Sequence, residues 1–286
     1  MSKIFNIPAF LKYLNIEGLK NDDLHISDFE NHKDVLLKSG PIVNDFYSLA
    51  IKPPIDKRIV NPHPTNEPSS SYMYLDCPHN TLEWEISPPV SGFSILVSAK
   101  YIHKQAKDYN FVHYNNHEAL FLTHEEESIL WDLFRKAYSE FQKENYSKEV
   151  IISYIALILS YTQIFYNRQF DSRSKIYNKV ITDFYGNLEH YFEGNSPVSG
   201  LPSVAYFAQK ANLSPNYFGD LIKHFTGEPP IDHIHNHIIK LAKHKLQQTS
   251  LSVSEISYSL GFDYPTYFTR FFRNKTGIAP KIFRNQ

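Results

Sequence analysis

The chain has 286 residues, 42% hydrophobic and 15% aromatic, which is ample for globular cores and fits one large or two modest domains. Its single cysteine, Cys77, excludes a disulfide framework and any multi-cysteine zinc module, and reads as a small buried hydrophobe. The net charge of −1 is unevenly spread: Leu201 to Gln286 carries 10 Lys and Arg against 5 Asp and Glu, while the first 200 residues carry 19 against 25. A basic C-terminal segment on an acidic body points to a polyanionic partner for that segment.

The N-terminal MSKIFNIPAFLKYLN lacks the charged-then-apolar order of a signal peptide, so a cytoplasmic protein is expected. Up to about residue 120 the apolar runs are short and turn-bounded: DVLLKSG, NDFYSLAIKPP, SSYMYLDCP, TLEWEI and GFSILVSAKYI. They predict the strands of a small barrel or sandwich. The Pro-rich IKPPIDKRIVNPHPTNEPSSS predicts an exposed loop.

The period then changes. Thr123 and Glu126 form a T-x-x-E capping box, followed by Ile129, Leu130, Leu133, Phe134, Ala137, Tyr138 and Phe141 at helical spacing. A second helix, Val150–Tyr166, is apolar over much of its circumference but carries Ser153, Ser160, Thr162 and Gln163. Its 17 residues are at the short limit for a membrane span, and a buried or partner-facing soluble helix is the reading adopted. Two such helices need more cover than a small sheet offers, which predicts a homodimer through Thr123–Tyr166. The polar NRQFDSRS is taken as the boundary between domains 1–166 and 167–286, and Ile176, Val180, Phe184, Leu188 and Tyr191 predict one more helix behind it.

The C-terminal segment repeats one plan. Ser203–Pro230 and Ser252–Pro280 each predict a capped short helix, a tight turn, and a second helix entered through Pro215 or Pro265. Ser214 precedes the first of these prolines as a cap, Ser252 and Glu255 form a capping box, and Gly261 supplies a left-handed turn residue. Both second helices hold an aromatic pair (Tyr217-Phe218, Tyr267-Phe268) and end at Thr-Gly. The units, about 203–228 and 252–277, are joined by a helix periodic at Ile231, Ile234, Ile238, Leu241 and Leu246. Short helix, turn and second helix match the helix-turn-helix, and two units on one connecting helix can address successive major-groove segments on one face of double-stranded DNA.

From about Leu201 onward the chain resembles the DNA-binding domain of AraC/XylS-type transcription regulators, most closely in GFDYPTYFTRFFRNKTGIAPKIFR and then in YFAQKANLSPNYFGDLIKHFTG. The fold this implies is α+β with two domains: a cupin-like N-terminal sensing and dimerising domain, and an all-α C-terminal domain with two helix-turn-helix units. The resemblance further implies a small-molecule effector of unknown identity, and it admits RNA polymerase as a partner. It places DNA contacts on the exposed face of each second helix. In the second unit those are Tyr264, Thr266 and Arg270, followed by Arg273 and Lys275. Arg270 is the candidate for bidentate contact with guanine, Thr266 for a base edge or thymine methyl, and Arg273 and Lys275 for phosphates. In the first unit the face offers Asn216, Gly219 and Asp220, with Lys223 and His224 reaching toward the backbone. Asn216 can read adenine, whereas Asp220 repels phosphate, so more specificity is expected from the second unit.

Other chemistry finds little support. His233 and His237 lie four apart in DHIHNHI but lack a third ligand at helical spacing, so a solvated or DNA-adjacent face is expected rather than a metal. No phosphate loop or nucleophile elbow occurs, and no catalytic residue or cofactor is assigned. Two alternatives stay open for the N-terminal half: a protein-contact and dimerisation module without ligand, or a cupin-type metalloenzyme fused to a DNA-binding tail.

Overall fold

The computed structural model describes residues 4–53, 71–86, 88–114, 118–193 and 200–285. The Pro-rich loop expected after Ile51 falls, beyond Pro53, outside the described residues. The chain divides into two compact units, Met1–Ser172 and Arg173–Gln286.

In the first unit β1 (Ile4–Phe5) leads into α1 (Ile7–Leu14), whose N-cap Asn6 accepts from the Ala9 amide and whose first turn holds Pro8. Then come β2 (Leu24–Asp28), β3 (Lys38–Asn44), β4 (Phe46–Lys52), β5 (Tyr72–Asp76), β6 (Thr81–Glu85) and β7 (Phe93–Ser98). Next are α2 (Ala99–Ala106), β8 (Leu120–Phe121), α3 (His124–Gln142) and α4 (Lys148–Ser172). Two sheets result, a three-stranded one in the order β1-β3-β6 and a five-stranded antiparallel one in the order β2-β7-β4-β5-β8. The chain passes from one to the other at Asp45, between β3 and β4, where the buried Asn44 donates to the Phe46 carbonyl at 2.9 Å. Ile42 and Leu82 of the small sheet and Phe46 and Leu96 of the large one share a core with Phe10, Leu11 and Leu14 of α1.

This corrects the expectation of a barrel: the described strands form two sheets and no closed barrel. Some elements also differ from the reading of the apolar runs. GFSILVSAKYI is strand only to Ser98 and helix from Ala99, and α1 and β2 lie in stretches read as neither.

The other face of the large sheet is covered by helices. The Thr123–Glu126 capping box closes α3 at both ends of the pair, 2.9 Å and 3.3 Å. Phe93 of β7 meets Trp131 and Tyr138 of α3, and Thr162 of α4 reaches Met73 of β5. Lys20 donates to the Phe141 and Gln142 carbonyls at 2.8 Å and 3.0 Å, a cation at the C-terminal end of α3. The polar stretch after Tyr166 is the last turns of α4 rather than a joint. Arg168 bonds Glu126 at 2.9 Å and the Phe121 carbonyl at 2.7 Å, and fully buried Gln169 accepts from the Phe121 amide at 2.8 Å. Its polarity serves β8 and α3, so the first unit continues to Ser172.

The second unit is helical: α5 (Ser174–Tyr191), α6 (Val204–Lys210), α7 (Pro215–Thr226), α8 (Pro230–Gln248), α9 (Val253–Ser259), α10 (Pro265–Thr276) and α11 (Pro280–Arg284). Phe184 of α5 packs edge-on against Phe207 of α6 and Phe218 of α7, at 5.1 Å and 5.4 Å between centroids. Ile234, Ile238, Ile239, Ala242 and Leu246 form the buried side of α8, while Ile231 is exposed. Arg284 donates to the Leu246 carbonyl at 3.2 Å and the Leu251 carbonyl at 2.5 Å, fastening α11 to the end of α8.

Candidate nucleic-acid interface

The two helix pairs α6–α7 and α9–α10 repeat each other in atomic detail. Leu213 N donates to the Ala208 carbonyl at 3.0 Å, and Phe262 N to the Ser257 carbonyl at 3.1 Å. The left-handed turn residue is Asn212 (φ 55°) in the first pair and Gly261 (φ 88°) in the second. Asn tolerates this conformation through its short polar side chain, which is the signal that could have marked Asn212 from sequence. Each long helix ends the same way. Thr226 bonds the Ile222 and Glu228 carbonyls and Thr276 the Phe272 and Ile278 carbonyls, ahead of left-handed Gly227 and Gly277.

The starts are fixed by side-chain caps. Ser214 accepts from the Tyr217 amide at 3.2 Å. Ser252 accepts from the Glu255 amide at 3.2 Å, while the Glu255 carboxylate accepts from the Ser252 amide at 2.7 Å. Those bonds hold the Glu255 carboxyl below the usual range. Gly261 is sterically required: a Cβ there would lie 2.3 Å from the Gly200 carbonyl oxygen.

On α10, Phe268 and Phe272 are fully buried and Phe262 nearly so, whereas Phe271 is half-buried against Phe262 and His235. The opposite side carries Thr266, Tyr267, Arg270, Arg273 and Asn274, all exposed, with Tyr264 exposed at the N-cap. Thr266, Arg270 and Arg273 recur at i, i+4 and i+7 and share one face. The Arg270 guanidinium sits 5.6 Å from the centroid of the Tyr267 ring, and Tyr264 meets Tyr267 edge-on at 5.4 Å. Tyr267 was read from sequence only as half of an aromatic pair. Its exposure and its contact with Arg270 make it part of the surface. Lys275 is not a free cation, since it pairs with Asp232 of α8 at 3.1 Å.

On α7 the face corresponding to Thr266, Arg270 and Arg273 holds Asn216, Asp220 and Lys223. Asn216, Lys223 and His224 are exposed, Asp220 and Gly219 half-buried. Tyr217, the counterpart of Tyr267, is buried and hydrogen-bonded to the Tyr177 hydroxyl of α5. The α10 sequence holds three Lys and Arg and no acid, whereas α7 holds Lys223 against Asp220.

The α8 histidines are packing groups rather than a solvated face. His233 has Thr226 Oγ1 at 2.9 Å from Nε2 and the Tyr185 hydroxyl at 3.3 Å from Nδ1. His237 stacks on Phe192 and His235 lies against Phe271, and burial lowers the pKa of both. Among the described residues no group of three His, Cys, Asp or Glu side chains is arranged to hold a metal ion. Cys77 is buried with its thiol 3.0 Å from His113 Nδ1, and burial pushes it up to about 11, far from a thiolate nucleophile.

Residues 207–286 match the family model for a helix-turn-helix domain. The uncharacterized HTH-type transcriptional regulator YobQ of Bacillus subtilis is 29% identical over 83 residues, 29% of this chain and 34% of that protein. The MmsAB operon regulatory protein of Pseudomonas aeruginosa is 32% identical over 75 residues, 26% of this chain and 24% of its own length. This chain thus spans about a third or less of these curated relatives. A solved AraC-type transcriptional regulator structure from Chromobacterium violaceum is similar over 38% of this chain and 92% of its own, at 24% identity and a TM-score of 0.33. The DNA-binding domain of AdpA in complex with a target DNA is similar over 37% of this chain and 89% of its own, at 24% identity and a TM-score of 0.32. With its two capped helix pairs and the match to that family model, the C-terminal segment is a helix-turn-helix domain.

Proposed function

We propose that the chain is a sequence-specific, DNA-binding transcription regulator acting in the cytoplasm. The observation that carries this reading is the exposed face of α10, where Thr266, Arg270 and Arg273 line up with no acidic neighbour on that helix. A helix of that composition enters a major groove with Arg270 aimed at base edges and Arg273 at phosphate. Asn216, Lys223 and His224 of α7 meet a neighbouring groove segment with less selectivity. Tyr264 flanks the entry of α10, and Lys275 reaches phosphate only by leaving Asp232. The test is selection of bound fragments from the source genome, followed by titration across salt. Specific fragments should be retained, with affinity falling steeply as salt rises, because phosphate contacts release counterions. Equal affinity for bulk DNA at moderate salt would overturn the reading.

The first unit serves as a sensing and dimerising module in this proposal. Along α4, Val150, Leu157 and Ile164 are 40%, 47% and 58% exposed at seven-residue spacing, with exposed Ser153 and Ser160 between them. That is the repeat of a helix seam meeting a second helix. By length and composition α4 would also suffice for a membrane span, but Ile151, Ile155, Ile158 and Phe165 are committed to the interior of the unit. A second copy of the chain covers the seam. Leu157→Glu should convert a dimer to a monomer in analytical ultracentrifugation.

A further inference from the structure

The two helix pairs are joined in sequence by α8, and the start of α8 is gripped from both sides. His233 serves the first pair, with Thr226 of α7 at 2.9 Å and the Tyr185 hydroxyl of α5 at 3.3 Å. Asp232 and His235 serve the second, through Lys275 at 3.1 Å and the Phe271 ring at 5.1 Å. Successive residues point about 100° apart around a helix, while Asp232 and His235, three apart, share a side. That turn is therefore a pivot wedged between α7 and α10. A pivot alone leaves the rotation between the pairs undetermined.

A second contact lies away from α8. Leu201 and Pro202 run directly into Ser203, which caps α6 by accepting from the Tyr206 amide at 3.2 Å, so they move with the first pair. The Gly200 carbonyl is tied to that pair as well. It accepts from the Tyr191 hydroxyl of α5 at 3.1 Å, and the Tyr191 ring packs edge-on against Tyr206 at 5.3 Å. The Gly200–Leu201 peptide then lies directly on the α9–α10 turn of the second pair. A Cβ on Gly261 would stand 2.3 Å from the Gly200 oxygen, 2.6 Å from its carbonyl carbon and 3.2 Å from the Leu201 nitrogen. Two left-handed glycines, at φ 82° and 88°, thus meet backbone to backbone, an approach that a side chain on Gly261 would block. Beyond the peptide, exposed Leu201 walls a cavity of about 400 Å³ whose other lining includes Phe262, Tyr267, Arg270 and Phe271.

We propose that the Gly200–Leu201 peptide is a brace: seated in the α9–α10 turn, it fixes the distance and rotation between α7 and α10. The chain then selects DNA by the spacing of the two contacted segments as well as by their bases. Gly261 and Tyr191 are positioning residues in this scheme, acting through α10. The inference rests on the DNA-binding reading and adds a determinant of specificity to it. One base pair of extra spacing moves a groove segment by about 3.4 Å and turns it by about 35°. A freely hinged pair of units follows such a shift at small cost. A braced pair must unseat the peptide or give up one set of contacts, and the same preorganisation favours the correctly spaced site.

Mobility-shift titration of the full chain tests the brace, using a selected fragment and the same fragment with one base pair inserted or removed between the two footprinted segments. The wild-type chain should lose at least tenfold in affinity on either change. Gly261→Ala, which cannot seat the peptide, should cut that penalty to threefold or less. Gly277→Ala carries the same left-handed strain with open space around the added carbon, and should keep the penalty whole. Tyr191→Phe, which drops the bond to Gly200 and retains the ring, should fall between the two. A wild-type chain indifferent to spacing, or a penalty that neither Gly261→Ala nor Tyr191→Phe reduces, overturns the brace. So does an equal reduction by Gly277→Ala.

A measurement without DNA keeps the two readings apart. Spin labels on Gln209→Cys of α6 and Ser254→Cys of α9, both exposed positions, in a Cys77→Ala background should give one narrow distance distribution. Gly261→Ala should broaden it and Gly277→Ala should not. A broad distribution before any substitution in the turn overturns the brace whatever the DNA result. A narrow one in a chain that selects no fragment overturns the regulator alone.

Discussion

The helix pairs α6–α7 and α9–α10 share backbone turns, terminal threonine bonds and glycine stops, yet they present different surfaces. Tyr217 and Tyr267 occupy the same position of their helices. The first is 1% exposed beneath Tyr177, and the second is 54% exposed beneath Arg270. The difference comes from outside the repeat. Helix α5 lays Tyr177 and Phe184 over the first pair, whereas Tyr267 has only Tyr264 and Arg270 as ring partners among the described residues. A duplicated frame therefore does not imply a duplicated surface: one copy has its tyrosine drawn into the core and the other has it left exposed.

The largest effect that sharpens this contrast is on stability. Tyr217→Ala should cost about 3–5 kcal/mol, the range for emptying a buried aromatic site, and remove the hydroxyl bond to Tyr177. Tyr267→Ala should change stability by less than about 0.5 kcal/mol, as exposed substitutions do, and show its effect in DNA affinity instead. Denaturant titration of both variants checks the pair, and equal losses would mean that the two tyrosines have the same role.

The turns give a second, smaller contrast. Gly261→Ala adds left-handed strain of about 1–2 kcal/mol and an overpacking cost of about 1–3 kcal/mol against the Gly200 carbonyl. Gly277→Ala, at φ 84° with no atom within 4 Å of the added carbon, should show the strain alone. Melting temperatures of the two variants decide it.

How far the sequence carries follows the same line. Capping boxes, proline entries and Thr-Gly exits are local, and Thr123, Glu126, Ser252, Glu255 and Gly261 take the geometry that their neighbours along the chain dictate. Tyr217 and Tyr267 stand in the same local frame of entry proline and aromatic pair, and the distant Tyr177 is what covers the first. The histidines of α8 were misread for that reason, since Tyr185 comes to His233 from 48 residues away. The N-terminal strands were found by their apolar runs. Sheet order and the open arrangement depend on long-range pairing, which no single run encodes. The polar tail of α4 shows the hazard of reading polarity as exposure, because Gln169 and Arg168 are polar in order to bond β8 and α3.

On DNA, Arg270→Ala should weaken specific binding by about 1–3 kcal/mol and relax selectivity at one base pair, the loss expected for one bidentate guanine contact. Asn216→Ala should do less, because the acidic Asp220 one turn along would oppose phosphate approach on that face. Mobility-shift titrations against a selected fragment and a scrambled one measure both. A larger loss from Asn216→Ala would reverse the ranking of the two units.

The smallest effect tests whether Lys275 belongs to the surface at all. Its ammonium is bound to Asp232, an ion pair with both side chains about a third or more exposed, worth about 0–1 kcal/mol. Asp232→Asn removes the competitor without touching α10, so a phosphate-seeking Lys275 should gain affinity for every DNA sequence alike. The plot of log affinity against log salt should steepen by up to about one unit, the signature of one added phosphate contact. Lys275→Gln in the same background should cancel that gain. If Asp232→Asn leaves both affinity and slope unchanged, Lys275 ties α10 to α8 and the DNA-facing charge of the second pair reduces to Arg270 and Arg273.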